Sequence, residues 1–422
     1  MQNPPSPTPA AAASKYPSKT TLYILLSSSL FFLLFFTFSS SSRPPSTPPS
    51  ARPDPLLFPA RHLSAFVSSS DPPPPSIAYL ISGSAGDSAR ILRLLYAAYH
   101  PRNHYLLHLD RFAVQSDREK LALSVQSDPI LVAARNVDVL GKADFAYPKG
   151  SSPISATLHG ASVLLRLAPN WDWFINLDAR DYPLVSQDDL LHILSYLPKD
   201  LNFMNHTSHI GWRESRKLRP IIVDPGLYLA DKTEMFYASQ KRDLPNAYRL
   251  FTGSVFTILT RSFIEHCILG TDNLPRTLLM YLSNTPSSIT NYFQSILCNS
   301  HQFKRTVINH NLQYAAFDPK GLPRELSDSD FDAMIASGAA FASRVGSEGS
   351  FLDRIDQGIL KRGPDRPVPG GWCLGQSENN TCMVWGDASV LRPGPGARRL
   401  EKLIVEMLSN DAYLSRQCTV EQ

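Results

Sequence analysis

The sequence predicts an α/β fold: a mostly parallel sheet flanked by helices, behind one membrane-length apolar segment and a proline-rich stem. Three observations carry this expectation. From about residue 76 onward, short apolar runs alternate with stretches of helical periodicity, which is the pattern of βαβ units. Residues 21–40 form an uncharged run without Gly or Pro. And 16 of the 35 prolines lie at or before Pro75, so the average composition mixes two different materials.

The N-terminal material comes first. Residues 1–20 are rich in Pro, Ala and Ser and read as a cytosolic tail. At ~1.5 Å per residue, residues 21–40 match the ~30 Å hydrocarbon core, and the run is longer than the apolar part of a cleaved signal. It is expected to be a retained signal anchor in the bilayer. As a pair, Lys15 and Lys19 lie closer to its boundary than Arg43 and Arg52 do, which favours the N-terminus in the cytosol and the bulk of the chain in the lumen. Residues 41–75 end in Asp71-Pro-Pro-Pro-Pro75 and cannot bury a core, so they read as a semi-rigid stem. Residues 76–422 are the folded body. With 43% hydrophobic residues and a net charge of +4, collagen, coiled coil and whole-chain disorder are excluded, and no nucleic-acid partner is expected.

Within the body, Ile77-Ala-Tyr-Leu-Ile-Ser82 is the first strand. Asp87-Ser88 offers a cap to a helix carrying Ile91, Leu94, Leu95 and Ala98, which His100-Pro-Arg-Asn103 breaks. Tyr105-Leu-Leu-His-Leu109 is the second strand and ends at Asp110. Asn136-Val-Asp-Val-Leu140 is the third; a helix follows with Leu158, Val163, Leu164 and Leu167. The fourth, Trp171-Asp-Trp-Phe-Ile-Asn-Leu177, runs into Asp178-Ala-Arg-Asp181. Ligands of such sheets sit beyond the carboxyl ends of the strands, which places Ser82 and Asp110 at one edge. Asp110 reads equally well as a turn residue. Gly83 and Gly86 lack the full dinucleotide fingerprint and the P-loop lysine.

A buried strand ending in acidic residues is where nucleotide-sugar transferases of GT-A-like fold hold a metal through Asp-x-Asp. Here the spacing is Asp178-x-x-Asp181, which does not fit, so no metal is expected. Asp328-Ser-Asp330 has the spacing but opens an amphipathic stretch, and reads as an acidic first helical turn. Arg398 to Leu408 places Leu400, Leu403, Ile404, Met407 and Leu408 on one stripe, a packed helix. Without a metal, a diphosphate leaving group needs fixed cations, and Gly211–Arg219, Lys320, Arg324 and Arg344 supply candidates. Asn205-His-Thr207 and Asn379-Asn-Thr381 are glycosylation sequons. Of five cysteines, Cys373 and Cys382 make the easiest disulfide to propose.

Trp171-Asp-Trp-Phe-Ile-Asn-Leu with Asp181-Tyr-Pro-Leu-Val, Gln187-Asp-Asp-Leu-Leu191, Gly211-Trp-Arg-Glu-Ser215, Asp224-Pro-Gly-Leu-Tyr228, Leu250-Phe-Thr-Gly-Ser254 and Pro369-Gly-Gly-Trp-Cys373 together resemble the plant branch of glycosyltransferase family 14. These are core-2/I-branching-like proteins, among them β-glucuronosyltransferases acting on arabinogalactan. The resemblance spans residues 76–422. It implies a GT-A-like fold, an inverting and metal-independent reaction with no cofactor, a UDP-glucuronic acid donor, a β-galactan acceptor, and residence as a type II protein of the Golgi membrane. Two alternatives stand beside this: a UDP-N-acetylglucosamine or UDP-xylose donor, and a glycan-binding protein without catalysis.

By matching position, the resemblance gives Ser82, Asp110 and Tyr147 to the nucleoside. Arg344 goes to the diphosphate, with Lys320 or Arg324 as a second cation. Glu214, Arg213 and Tyr314 go to the acceptor. The family's catalytic base is a glutamate in a Ser-Ser-Pro-Glu-Gly-Tyr-Phe-like segment. Here the segment is Ser287-Ser-Ile-Thr290-Asn-Tyr-Phe293, and a threonine hydroxyl cannot act as a base near neutrality. Asp181 and Glu214 are the candidate replacements.

Overall fold

The structure is a computed structural model that describes residues 72–228, 234–346, 349–375, 382, 384–409 and 417–418. The tail, the expected anchor, the stem as far as residue 71, and Asn379 lie outside the described residues. Among the described residues, no helix is long and apolar enough to cross a membrane.

The four expected strands are present as β1 (Ile77–Gly83), β2 (His104–Leu109), β3 (Val137–Val139) and β4 (Trp173–Asp178). Short strands follow: β5 (Tyr182–Pro183), β6 (Asn202–Phe203), β7 (His206–Thr207), β8 (Pro220–Val223), β9 (Phe236–Lys241), β10 (Thr252–Gly253), β11 (Ile258–Thr260), β12 (Val307–Ile308), β13 (Gln313–Tyr314), β14 (Ala316–Phe317), β15 (Pro323–Arg324) and β16 (Phe341–Ala342). The central sheet has the order β12-β6-β11-β4-β1-β2-β3. All its pairs are parallel except those of β11, which runs antiparallel to β4 and β6. The expected mixed α/β architecture with a mostly parallel sheet is therefore observed.

Parallel strands need crossovers, and helices supply them: Ser88–Ala97 after β1, Gln115–Ser127 and Pro129–Ala134 after β2, Ser152–Leu167 after β3. Strands covered on both faces are continuously apolar. In β1, Ile77, Tyr79 and Ile81 join one core, while Ala78 and Leu80 join the other. In β4, Trp173, Ile175 and Leu177 alternate in the same way with Phe174. Each large aliphatic or phenylalanine side chain among them contributes about 1.5–3 kcal/mol by leaving water. In helix Ser152–Leu167, Ile154, Ala161 and Leu164 are buried, but Leu167 is 53% exposed. It is the last helical residue, where the chain turns away at Ala168 in extended conformation.

The C-terminal helix Pro395–Leu408 buries Leu400, Ile404, Met407 and Leu408, and Asp189 receives the N–H of its capping Gly394 at 2.6 Å. Asp328–Asp330 is a 3-10 turn before helix Phe331–Ala336, with Ser327 and Asp330 forming a capping box, as an acidic first turn requires. Cys373 pairs with Cys382, as expected, and Cys298 with Cys418, which leaves Cys267 as a thiol.

Candidate active site

The carboxyl ends of β1, β2 and β4 form one edge. Ser82 is in register with His108 on β2 and with Asp178 on β4. The Asp110 N–H donates to the Gly83 carbonyl at 3.0 Å, so Ser82 and Asp110 do share this edge. The Asp110 carboxylate accepts from the Ser84 hydroxyl and the Phe112 N–H, both at 3.0 Å. Burial raises its pKa, and those hydrogen bonds oppose the rise. Asp110 thus shapes the loop while standing at the expected ligand edge. The turn at Gly83–Gly86 is occupied by its own chain, because the Ser84 N–H donates to the Asp87 carboxylate at 2.9 Å.

The turn after β4 closes on itself. Asp181 Oδ2 accepts the Asp178 N–H at 2.8 Å, and Oδ1 accepts the Gln313 amide at 3.0 Å. Asp178 faces solvent and holds Arg180 at 3.1 Å. Burial, then the neighbouring Asp178 charge, push the Asp181 carboxyl up to about 8. The two carboxylates therefore differ in kind: one is solvated and paired, the other buried and proton-holding. Asp181 offers no free ligand pair for a divalent cation, so this donor set does not fit the metal site that an Asp-x-Asp would make.

A three-stranded sheet, β13-β16-β5, carries the next group. Tyr314 on β13 is in register with Ala342 on β16, and Ala342 with Tyr182 on β5. This brings together Asp181, Gln313, Tyr314 and the strand end bearing Arg344. The Val345 N–H bonds the Arg180 carbonyl at 2.8 Å, and Arg90 clasps the Val345 carbonyl at 2.7 Å and the Ala179 carbonyl at 3.3 Å. Leu312 and Arg344 both lie at φ 56°, in the left-handed region that costs a non-glycine residue about 1 kcal/mol or more.

The cation candidates separate. Arg344 is exposed, and its guanidinium reaches the Pro323 carbonyl at 3.4 Å. Arg324, on the adjoining β14–β15 ribbon, makes a two-pronged bridge to Asp330 at 2.6 and 2.8 Å. That pairing pulls the Asp330 carboxyl down to about 2 and commits the arginine. Lys320 is exposed in the ribbon's tight turn, where its N–H bonds Asp318.

Tyr147 is buried, edge-on to Phe112 at 4.9 Å, with Phe145 beside both rings. Phe112 follows Asp110 by two residues, so Tyr147 joins the same edge. Thr290 ends the 3-10 turn Ser288–Thr290, and its hydroxyl donates to the Ser287 carbonyl at 3.1 Å. Arg213 and Glu214 lie on helix Trp212–Leu218. Just before that helix, Ser208, His209 and Ile210 line a groove of about 410 Å³ with Leu244, Pro245, Arg249 and Leu250. Asn205 is half-buried, directly before β7.

Three residues escaped the sequence reading: Gln313, which bonds Asp181; Arg90, which clasps two site loops; and Asp224, which accepts three backbone N–H groups. Asp224 had a signal in its Asp-Pro-Gly run. The other two had none, since their partners are distant in sequence.

The sequence model of the Core-2/I-branching enzyme family matches residues 77–335. Three proteins of Arabidopsis thaliana are similar across most of this chain. Beta-glucuronosyltransferase GlcAT14A is 47% identical over 376 residues, covering 86% of this chain and 84% of its own. GlcAT14B is 47% identical over 346 residues, covering 81% and 80%. GlcAT14C is 44% identical over 345 residues, covering 82% and 85%. The edge built from β1, β2 and β4 lies within the matched residues, and the chain belongs to the Core-2/I-branching enzyme family.

Proposed function

We propose that this chain is an inverting, metal-independent glycosyltransferase of GT-A-like fold that moves glucuronic acid from UDP-glucuronic acid to a β-galactan acceptor. The observation that carries the reading is identity of 44–47% to three beta-glucuronosyltransferases over at least four-fifths of the chain. The reaction sets three demands: a surface for the nucleoside, cations for the diphosphate, and a base for the acceptor hydroxyl. Ser82, Asp110 and Tyr147 form the nucleoside edge. Arg344 faces the diphosphate, and Arg324, held by Asp330, is the weaker of the two expected partners beside it. Tyr314 and the groove before Arg213 and Glu214 take the acceptor. Asp181 or Glu214 removes the hydroxyl proton, the oxygen attacks the anomeric carbon opposite the leaving group, and UDP departs onto the cations. The apolar run 21–40 anchors the chain in the Golgi membrane with the body in the lumen.

The test is a radiolabelled transfer assay on the detergent-solubilised full chain, with galactan oligosaccharides and UDP-glucuronic acid, UDP-N-acetylglucosamine or UDP-xylose, each with and without chelator. Transfer of glucuronic acid that survives chelator is the expected result. No transfer from any donor, beside measurable UDP binding, overturns the enzyme reading; preference for another donor overturns the substrate; loss in chelator overturns the metal-free mechanism.

A further inference from the structure

We propose that Asp224 is a positioning residue that holds the nucleoside wall around Tyr147 in its binding geometry, and that its own carboxylate couples that wall to the turn ending at Thr290. The inference rests on the transferase reading above and deepens it. Asp224 is fully buried. Its Oδ2 accepts the N–H groups of Ser151 and Ser152, each at 2.7 Å, and its Oδ1 accepts the Gly226 N–H at 2.8 Å. The first two donors open the 16-residue helix Ser152–Leu167, where an anion is further favoured by the helix dipole. A carboxylate holding three backbone donors out of water is a strong and directional tie.

What it ties is the site. The Tyr147 N–H donates to the Ser152 hydroxyl at 2.9 Å, and the Gly150 N–H to the Tyr147 carbonyl at 2.8 Å. On the other side, the Lys149 carbonyl accepts the Ser287 N–H at 2.9 Å, and the Ser151 hydroxyl donates to the Ser283 carbonyl at 2.5 Å. Ser287 stands at φ 49° and starts the turn that ends at Thr290. Five residues, 147–151, therefore connect the nucleoside wall to the family's base position, and Asp224 grips them from behind. The close fit is visible at Gly150, where an added Cβ would lie 1.9 Å from Asp224 Oδ2. No larger residue leaves room for the carboxylate.

Substitution of a buried carboxylate costs stability wherever it sits, so the test compares two. Asp188 is also buried and accepts the Gly371 and Arg392 N–H groups at 2.7 and 2.6 Å, pinning the C-terminal loops to helix Gln187–Ser195. UDP affinity, donor KM, kcat and Tm are measured for Asp224→Asn, Gly150→Ala, the double variant and Asp188→Asn in the full chain. All variants are expected to lose Tm. Asp224→Asn and Gly150→Ala are expected to weaken UDP binding about tenfold and lower kcat, the double variant no further than either alone. Asp188→Asn is expected to bind UDP as the wild type does. If Asp224→Asn does not fold, Gly150→Ala carries the comparison with Asp188→Asn. Wild-type UDP affinity and kcat in a folded Asp224→Asn or Gly150→Ala overturn the inference, as does an equal loss in Asp188→Asn. A wild type that neither binds UDP nor transfers sugar instead overturns the transferase reading.

Discussion

Replacing Asp181 with Asn tests the candidate base directly. The carboxyl is held at about 8 by burial and by Asp178. At pH 7 roughly a tenth of the molecules then carry the free base, and at pH 9 roughly nine-tenths. If Asp181 takes the acceptor proton, kcat/KM rises about tenfold between those pH values and levels off above them. The asparagine is close in shape to the protonated acid that dominates at pH 7. It keeps an oxygen for the Asp178 N–H, and Gln313 must turn its amide to accept. Asp181→Asn should therefore fold, and lose about 10²-fold or more in kcat. Stability gives a second reading. The folded state holds this proton where an unfolded aspartate has lost it, so the contribution to stability is full below about 4 and is lost as pH rises towards about 8. Wild-type Tm should fall over that window more than that of Asp181→Asn. His108 and His206, each lowered to about 4 by burial, are common to both proteins and cancel in the comparison. The assay is UDP release at saturating donor from pH 5 to 9.5. A profile that is flat from pH 6 to 9.5 refutes Asp181 and leaves Glu214; so does an Asp181→Asn that keeps more than about a tenth of the activity.

Further predictions follow from the same contacts. Arg344→Ala should raise donor KM or lower kcat about thirtyfold or more, because a fixed cation on the leaving group acts in the transition state. Arg324→Ala, whose guanidinium already serves Asp330, should change either by less than about threefold; initial-rate kinetics separate the two. Cys418→Ser opens a loop of 120 residues and Cys373→Ser a loop of 9, so loop-closure entropy predicts losses of up to about 5 and about 2.6 kcal/mol, read by urea denaturation. Asp356→Asn leaves the fully buried Arg362 guanidinium without its countercharge, and should cost about 3–5 kcal/mol in the same experiment.

The sheet was legible because a strand buried on both faces leaves a continuous apolar run, and β1, β2 and β4 all do. Short strands leave none: β6, β12, β13 and β16 have two residues each, too few for a period, and their pairing is decided by distant segments. That blind spot coincides with half of the site. Ser82 and Asp110 could be placed on an edge from strand order alone. Arg344 was one cation candidate among several and Tyr314 could be named only by resemblance, because β13-β16-β5 assembles them through register. Arg324 looked the equal of Arg344 until the bridge to Asp330 distinguished them. Leu167 shows the reverse error, an apolar residue in phase with its helix but past the end of the surface it would cover.

A threonine at position 290, where the resemblance expects a glutamate, has consequences that depend on how the fold is layered. Asp181, Gln313, Tyr314 and Arg344 ride on strands whose apolar neighbours Tyr182, Leu312, Phe341 and Val345 belong to one core. Thr290 rides on a segment whose neighbours Ile289, Tyr292 and Phe293 belong to the other. The two belong to separate cores, so a change at 290 does not repack the elements that carry Arg344 and Asp181. A threonine whose hydroxyl lies within bonding reach of the Ser287 carbonyl and the Asn291 amide oxygen supplies no base and only local bonding. Thr290→Ala should then keep UDP affinity and kcat within about threefold, at a cost of about 1 kcal/mol in stability. Thr290→Glu should place a carboxylate at the family position, raise kcat about tenfold, and move the break in the pH profile down towards 5. A Thr290→Ala protein that folds but transfers nothing contradicts this account, because it assigns the hydroxyl a chemical role; a Thr290→Glu protein with an unmoved profile contradicts it equally, because position 290 then does not face the acceptor.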